Sequence, residues 1–227
     1  MVIGLIQSKE TRQEDEMAEQ TTRYAATLSI DYPDRELNRF SSFFRIFASI
    51  PIFIVLGLLI GSTFGNNEAK EAGRHMQVTA GLVTLPTMLM ILFRQKYPKW
   101  WFEWNLALSR FSMRVSAYVA LMTDEYPSTD DEQAIHLELV YPDVEKDLNR
   151  WLPLVKWLLA IPHYIVLVFL GIAALFCVIF AWFAVLFTGR YPRGLFDFVL
   201  SVSRWSLRVE AYAFLMLTDK YPPFELR

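Results

Sequence analysis

The chain has 227 residues, 54% of them hydrophobic and 15% aromatic, with a formal net charge of −2. So little net charge argues against a polyanionic partner, and no nucleic acid is expected to bind. One cysteine, Cys177, excludes an intrachain disulfide and any multi-cysteine zinc site.

Residues 1–21 join a short apolar start to a charged run, with neither the apolar core nor the small-residue cleavage site of a signal peptide. A mobile tail without a cleavable signal is expected. From Thr22 to Pro33, TRYAATLSIDYP is rich in β-compatible residues and ends at a Tyr-Pro that stops a strand. Its counterpart is AIHLELVYP, Ala134 to Pro142, where Ile135, Leu137 and Leu139 alternate with His136, Glu138 and Val140. The two strands are expected to pair beside a membrane. His136 reads as an ordinary strand residue, because no second metal ligand stands at the required spacing.

An apolar run from Phe43 to Ile60 follows, interrupted by Arg45 and a few small residues, and then the polar loop GSTFGNNEAKEAGRHM. Gln77 to Phe93 supplies a second apolar segment of about 17 residues, near the lower limit for crossing a bilayer. Pro86 within it is tolerable where neighbouring helices satisfy the freed carbonyl. The most apolar stretch is Trp151 to Gly189. Beyond Lys156 it would make roughly 48 Å of helix against a bilayer core of about 30 Å. The expectation is a hairpin of two membrane helices, Trp151–Leu170 and Ala173–Phe187, turning near Gly171. His163 reads as a buried or snorkelling side chain and Cys177 as a packing or lipid-facing one.

The chain also repeats itself. DYPDRELNRF, from Asp31, matches VYPDVEKDLNRW, from Val140, and Ile50-Pro51 matches Ile161-Pro162. SRFSMRVSAYVALMTDEYP, from Ser109, matches SRWSLRVEAYAFLMLTDKYP, from Ser203. The reading is one unit encoded twice: a first membrane repeat at 22–127, a linker at 128–133 and a second repeat at 134–227. The fold class expected is mainly α and integral to the membrane. Each repeat would be a two-helix transmembrane hairpin plus an amphipathic interfacial helix, with short cytoplasmic strands.

Polar chemistry concentrates on the helix after each hairpin. Glu103, Arg110 and Arg114 correspond to Asp197, Arg204 and Arg208, and their spacing puts each set within about 20° of one line on a helix. Such a stripe suits the membrane interface, with Trp100, Trp101, Trp104 and Trp205 at headgroup depth and the arginines holding phosphates or carboxylates. The competing reading is internal pairing of these arginines with Glu103 and Asp197, or with Asp124 and Asp219. Asn38-Arg39 and Asn149-Arg150 read first as residues that satisfy helix termini and snorkel, and second as ligand contacts. The lipid- or partner-binding candidates are therefore Asn38, Arg39, Arg110, Arg114, Asn149, Arg150, Arg204 and Arg208. No catalytic, cofactor or metal-binding motif is present. Basic residues flank the ends that carry the termini, which predicts a multi-pass protein of the bacterial cytoplasmic (inner) membrane with four spans and both termini cytoplasmic.

The pattern LNRWLPLVKWLLAIPHYIVL, FAVLFTGRYPRGLFDFV and SRWSLRVEAYAFLMLTDKYPPF resembles a bacterial multi-span membrane-protein family, the domain of unknown function four-three-eight-nine, with the second copy matching best. The resemblance implies several spans and supplies no reaction. The function expected is that of a non-catalytic accessory, assembly or scaffold subunit of a larger membrane complex, with membrane lipids and another membrane protein as partners. Anionic-lipid binding or membrane shaping is the alternative, and a small transporter or channel comes third.

Overall fold

The structure is a computed structural model that describes residues 24–33, 36–60, 84–129, 131 and 133–226. The expected N-terminal tail, the polar loop and the start of the second apolar segment lie outside the described residues.

The elements in chain order are β1 (Ala26–Ile30), α1 (Arg39–Ile60), α2 (Thr84–Arg94), α3 (Lys99–Val119), β2 (Ile135–Leu139), α4 (Val144–Asp147), α5 (Pro153–Leu159), α6 (Ile161–Thr188) and α7 (Arg193–Ala213). As the alternation predicts, β1 and β2 pair antiparallel, with Leu28 opposite Leu137 at the centre. Ala26, Leu28, Ile30, Ile135 and Leu137 point inward, while Ser29, His136 and Glu138 are exposed. Three layers result. The sheet packs on the amphipathic helices, β1 on α7 and β2 on α3; α3 packs in turn on α1, and α7 on α5 and α6. α1 and α6 meet where Trp182 Nε1 donates to the Ser42 carbonyl at 3.2 Å and its ring stacks on Phe43.

The turn expected at Gly171 is absent, because α6 runs uninterrupted for 28 residues. A turn there would strip backbone groups of partners on both sides, whereas one glycine inside a helix costs only about 1 kcal/mol. The break falls instead at Ala160, one residue before Ile161-Pro162, and proline occupies the first turn of α6, where its missing N–H is no loss. The equivalent Ile50-Pro51 lies inside α1, which bends by 50° between Arg39–Arg45 and Phe47–Gly57. Pro51 leaves the Phe47 carbonyl without its helical donor and crowds it, which accounts for a bend at that point.

Contacts recur in corresponding pairs across the two halves. The Tyr32 hydroxyl donates to the Tyr191 carbonyl, and the Tyr141 hydroxyl to the Tyr97 carbonyl. Arg204 Nε donates to the Leu28 carbonyl at 2.8 Å and Arg110 Nε to the Leu137 carbonyl at 3.0 Å. Each strand is thus held by a helix from the other half. Corresponding residues also share backbone conformation: Gln95 and Gly189 have φ of 45° and 75°, and Leu121 and Met216 have φ of 62° and 56°.

Gln95 adopts at a cost what Gly189 adopts freely. Gln95→Gly is expected to raise stability by about 0.5–1 kcal/mol, measured as the shift in the thermal midpoint in detergent. Burial pushes the Tyr97 hydroxyl up to about 12, against hydrogen bonds from Thr87 and Asn105 that pull it down. The native chain therefore keeps this proton where the unfolded chain loses it. Stability from Tyr97 is complete below pH 10 and should fall by about 2–3 kcal/mol between pH 10 and 12. Tyrosinate absorbance rising together with loss of helix, rather than before it, is the expected result.

Candidate functional site

Each apolar helix begins with Leu-Asn-Arg, and each amphipathic helix ends before Thr-Asp-x-Tyr-Pro. The fold brings these two motifs together in both halves. Asn38 caps α1 with its side-chain oxygen, which accepts from the backbone N–H groups of Phe40 at 3.0 Å and Ser41 at 3.2 Å. The Asn38 N–H itself donates to Asp124 Oδ2 at 2.9 Å. Asn149 repeats both contacts, accepting from the Trp151 N–H and donating its own to Asp219 Oδ2. A carboxylate at a helix N-terminus also meets the positive end of the helix dipole.

Seven residues further on, two turns along the chain, comes a buried cation. Arg45 Nη2 pairs with Asp124 Oδ1, and Nη1 donates to the carbonyls of Tyr118 at 3.0 Å and Thr123 at 2.8 Å. The guanidinium lies over the Tyr118 ring, 4.6 Å from its centroid. In the second half, Lys156 Nζ stands 2.7 Å from Asp219 Oδ1, donates to the Thr218 carbonyl at 2.9 Å and lies 5.3 Å from the Tyr212 ring centroid. The Arg45 side chain is 3% exposed and that of Lys156 is 0% exposed. Burial pulls the Lys156 ammonium below its ordinary value, and Asp219 pulls the other way.

The turn that presents each aspartate is a strained one. The Met122 N–H reaches back to the Ala117 carbonyl and the Leu121 N–H to that of Tyr118, closing α3 as a Schellman motif with leucine where glycine is usual. Met216 holds the equivalent place after α7, where one extra residue widens the turn and the Leu217 N–H bonds to the Ala211 carbonyl. Leu121 is 3% exposed and Met216 2%, so apolar burial offsets a backbone cost of about 1–2 kcal/mol.

The predicted arginines are all placed, but against backbone. Arg110 and Arg204 hold the strands as described, Arg114 Nη1 donates to the Ser128 carbonyl at 2.7 Å, and Arg208 Nη2 donates to that of Glu225. Burial pulls the Arg208 guanidinium down, opposed by Glu225. Arg150 covers the end of α2 by donating to the carbonyls of Leu92 and Phe93, and the Arg39 side chain lies over Gly189 at the end of α6. The expected internal partners differ from those found: Asp124 and Asp219 pair with Arg45 and Lys156, and Glu103 lies 3.9 Å from Lys99.

Sequence reasoning missed the two buried cations. Their signal was available, since Arg45 and Lys156 each stand eight residues past the leucine of a Leu-Asn-Arg. Trp205, expected at headgroup depth, is buried, and its Nε1 donates to His163 Nδ1 at 3.1 Å. His163 stacks on Phe224 at 3.9 Å between centroids. His136 lies 3.3 Å from Asp31 on the exposed sheet face, and Cys177 is half-buried. Among the described residues no group of three or more His, Cys, Asp or Glu side chains is placed to hold a metal ion.

Residues 151–225 match the model of a protein family described as Domain of unknown function (DUF4389). No curated protein and no solved structure matches the chain. The matched segment covers α5, α6, α7 and the whole Lys156–Asp219 contact.

Removing one partner of a buried ion pair strands the other. Asp219→Asn should cost about 3–5 kcal/mol by leaving Lys156 uncompensated, and Lys156→Met combined with it should recover most of that loss. Thermal unfolding of the single and double variants in detergent measures the difference.

Proposed function

We propose that the chain is a non-catalytic membrane-embedded protein that serves as an accessory, assembly or scaffold subunit of a larger bacterial membrane complex. The observation that carries this reading is the outer layer. Phe43, Phe47, Phe53, Ile172, Phe176 and Phe183 of α1 and α6 are exposed to at least 42%. So large a contiguous apolar face marks a membrane or protein contact. α6 is also long and apolar enough to cross a bilayer. The polar side chains best placed for chemistry, Asp124, Asp219, Arg45 and Lys156, are engaged in holding helices together.

The reading includes a tandem duplication about a pseudo-two-fold axis. It is supported by the corresponding ion pairs, caps, tyrosine contacts and strained turns of the two halves. It also keeps both termini and the sheet on one side, the cytoplasmic one, as the basic flanks favour. The hairpin expected in the second half is replaced by the uninterrupted α6, so both termini share a side where α6 does not cross. Anionic-lipid binding or membrane shaping is the second reading, favoured by the one-sided exposure of phenylalanine on α1. The arginines support it less, since their hydrogen bonds go to backbone carbonyls.

Gentle-detergent purification with mass spectrometry, combined with deletion of the gene, tests the proposal. A membrane complex should copurify in fixed ratio, fail to assemble in the deletion strain and return on complementation. Intact complexes in the deletion strain, together with purified protein that binds vesicles more tightly as anionic lipid rises and less as salt rises, would replace the scaffold reading with the lipid one.

A further inference from the structure

We propose that α6 does not cross the membrane but lies along its surface, with one face sunk into a single leaflet and the β-sheet standing in water. This rests on the membrane-embedded reading above and specifies how the chain meets lipid.

The argument starts from the alignment of three elements. α7 returns antiparallel along α6: Tyr164, near the start of α6, meets Phe214 at the end of α7, and a short turn joins Thr188 to Arg193. β1 lies on α7 and shares that axis. At one end the Tyr24 hydroxyl donates to the Arg208 carbonyl at 3.3 Å, and at the other Tyr32 packs edge-on against Phe196 at 5.1 Å. An upright α6 therefore carries β1 upright with it, at the same depth.

The sheet cannot tolerate that depth. It has two strands among the described residues, so neither outer edge has a strand beside it, and there the Leu28 and Leu137 carbonyls accept from Arg204 and Arg110 instead. Open sheet edges do not occur in hydrocarbon. Its outer face also carries Ser29, His136 and Glu138, with Asp31 at the strand end, and the side chains of His136 and Asp31 are 57% and 69% exposed. Laid flat, the same molecule has no conflict. Packed layers stack about 8–10 Å apart, so the sheet would stand roughly 20 Å from the α6 axis, clear of a helix buried about 5–10 Å into the headgroup boundary.

The surface α6 would present suits acyl chains rather than a protein. Ile165, Phe169, Ile172, Phe176, Phe180 and Phe183 fall on one side of the helix, and no polar side chain is exposed between Ile165 and Phe187. A protein interface of that size would carry a polar rim and hydrogen bonds. Basic side chains stand at the ends of the layer instead, Arg94 and Lys96 after α2 and Arg190 and Arg193 around the start of α7, all exposed and suited to anionic headgroups.

Spin labels distinguish the two postures. In a Cys177→Ala background, or Cys177→Ser should that chain not assemble, a nitroxide is placed singly at Ile165, Ile172 and Ile179. The full chain is reconstituted in phosphatidylethanolamine–phosphatidylglycerol vesicles. Relaxation by oxygen and by a water-soluble nickel chelate should report the same shallow depth at all three positions. A maximum of depth at Ile172 with shallow flanks would overturn the proposal while leaving the membrane-embedded reading intact. Full chelate access at all three would overturn both, and protection from oxygen and chelate alike would overturn the proposal by showing that protein covers the face. As an independent readout, cysteines at Trp151 and Arg193 should react with a membrane-impermeant maleimide from the same side; reaction from opposite sides would overturn the proposal.

Discussion

The aspartate of each Thr-Asp-x-Tyr-Pro turn is the constraint on which the rest of the structure depends. One carboxylate reaches both the N–H at the start of an apolar helix and the cation two turns later, so it fixes that helix in rotation and in register at once. Burying a charge pair this deeply is a poor source of net stability, because the desolvation penalty consumes most of the Coulombic gain. Its effect is on alternatives. Any slip of α1 or α5 along its partner strands a guanidinium or ammonium in apolar surroundings, and that cost rejects the slipped arrangement. Smooth helices of phenylalanine, leucine and isoleucine have little else to define their register.

The arrangement also explains why the strained turns persist. Leu121 and Met216 are poor residues for a left-handed backbone, yet their side chains fill the core beneath the sheet while the backbone swings the aspartate outward to the cation. Glycine would relax the backbone and empty the core. The same trade is absent at Gly189, which sits at the end of α6 under the Arg39 side chain and needs no side chain of its own.

Much of this could be read from the sequence, and the parts that could not have physical reasons. The strands were legible because Ile135 and Leu137 alternate with His136 and Glu138, a period that only a half-buried strand satisfies. The helices α3 and α7 were legible from their Tyr-Pro starts and polar stripes. Length against bilayer thickness points to a turn at Gly171, whereas the break falls just before Pro162, whose ring suits the first turn of a helix. The shared stripe of Arg110, Arg114, Arg204 and Arg208 is legible, but the carbonyls that these side chains meet are not. A stripe reveals that side chains share a face, but not that a strand or chain end will offer carbonyls to it. Arg45 and Lys156 read in sequence only as interruptions, since one charge in an apolar run shows its meaning only when its partner, tens of residues away, is known.

The exchange of strands between the halves bears on ancestry. β1 belongs to the first half and packs on α7 of the second, and β2 does the reverse on α3. A chain holding a single unit would have a strand without a mate and an amphipathic helix with a bare face. Both needs are met at once by a second copy turned through a half circle, with Leu28 and Leu137 replaced by one leucine meeting itself across the axis. Under the proposed duplication, the two-unit chain corresponds to a fused homodimer. The two clamps are not identical, since arginine serves in one and lysine in the other.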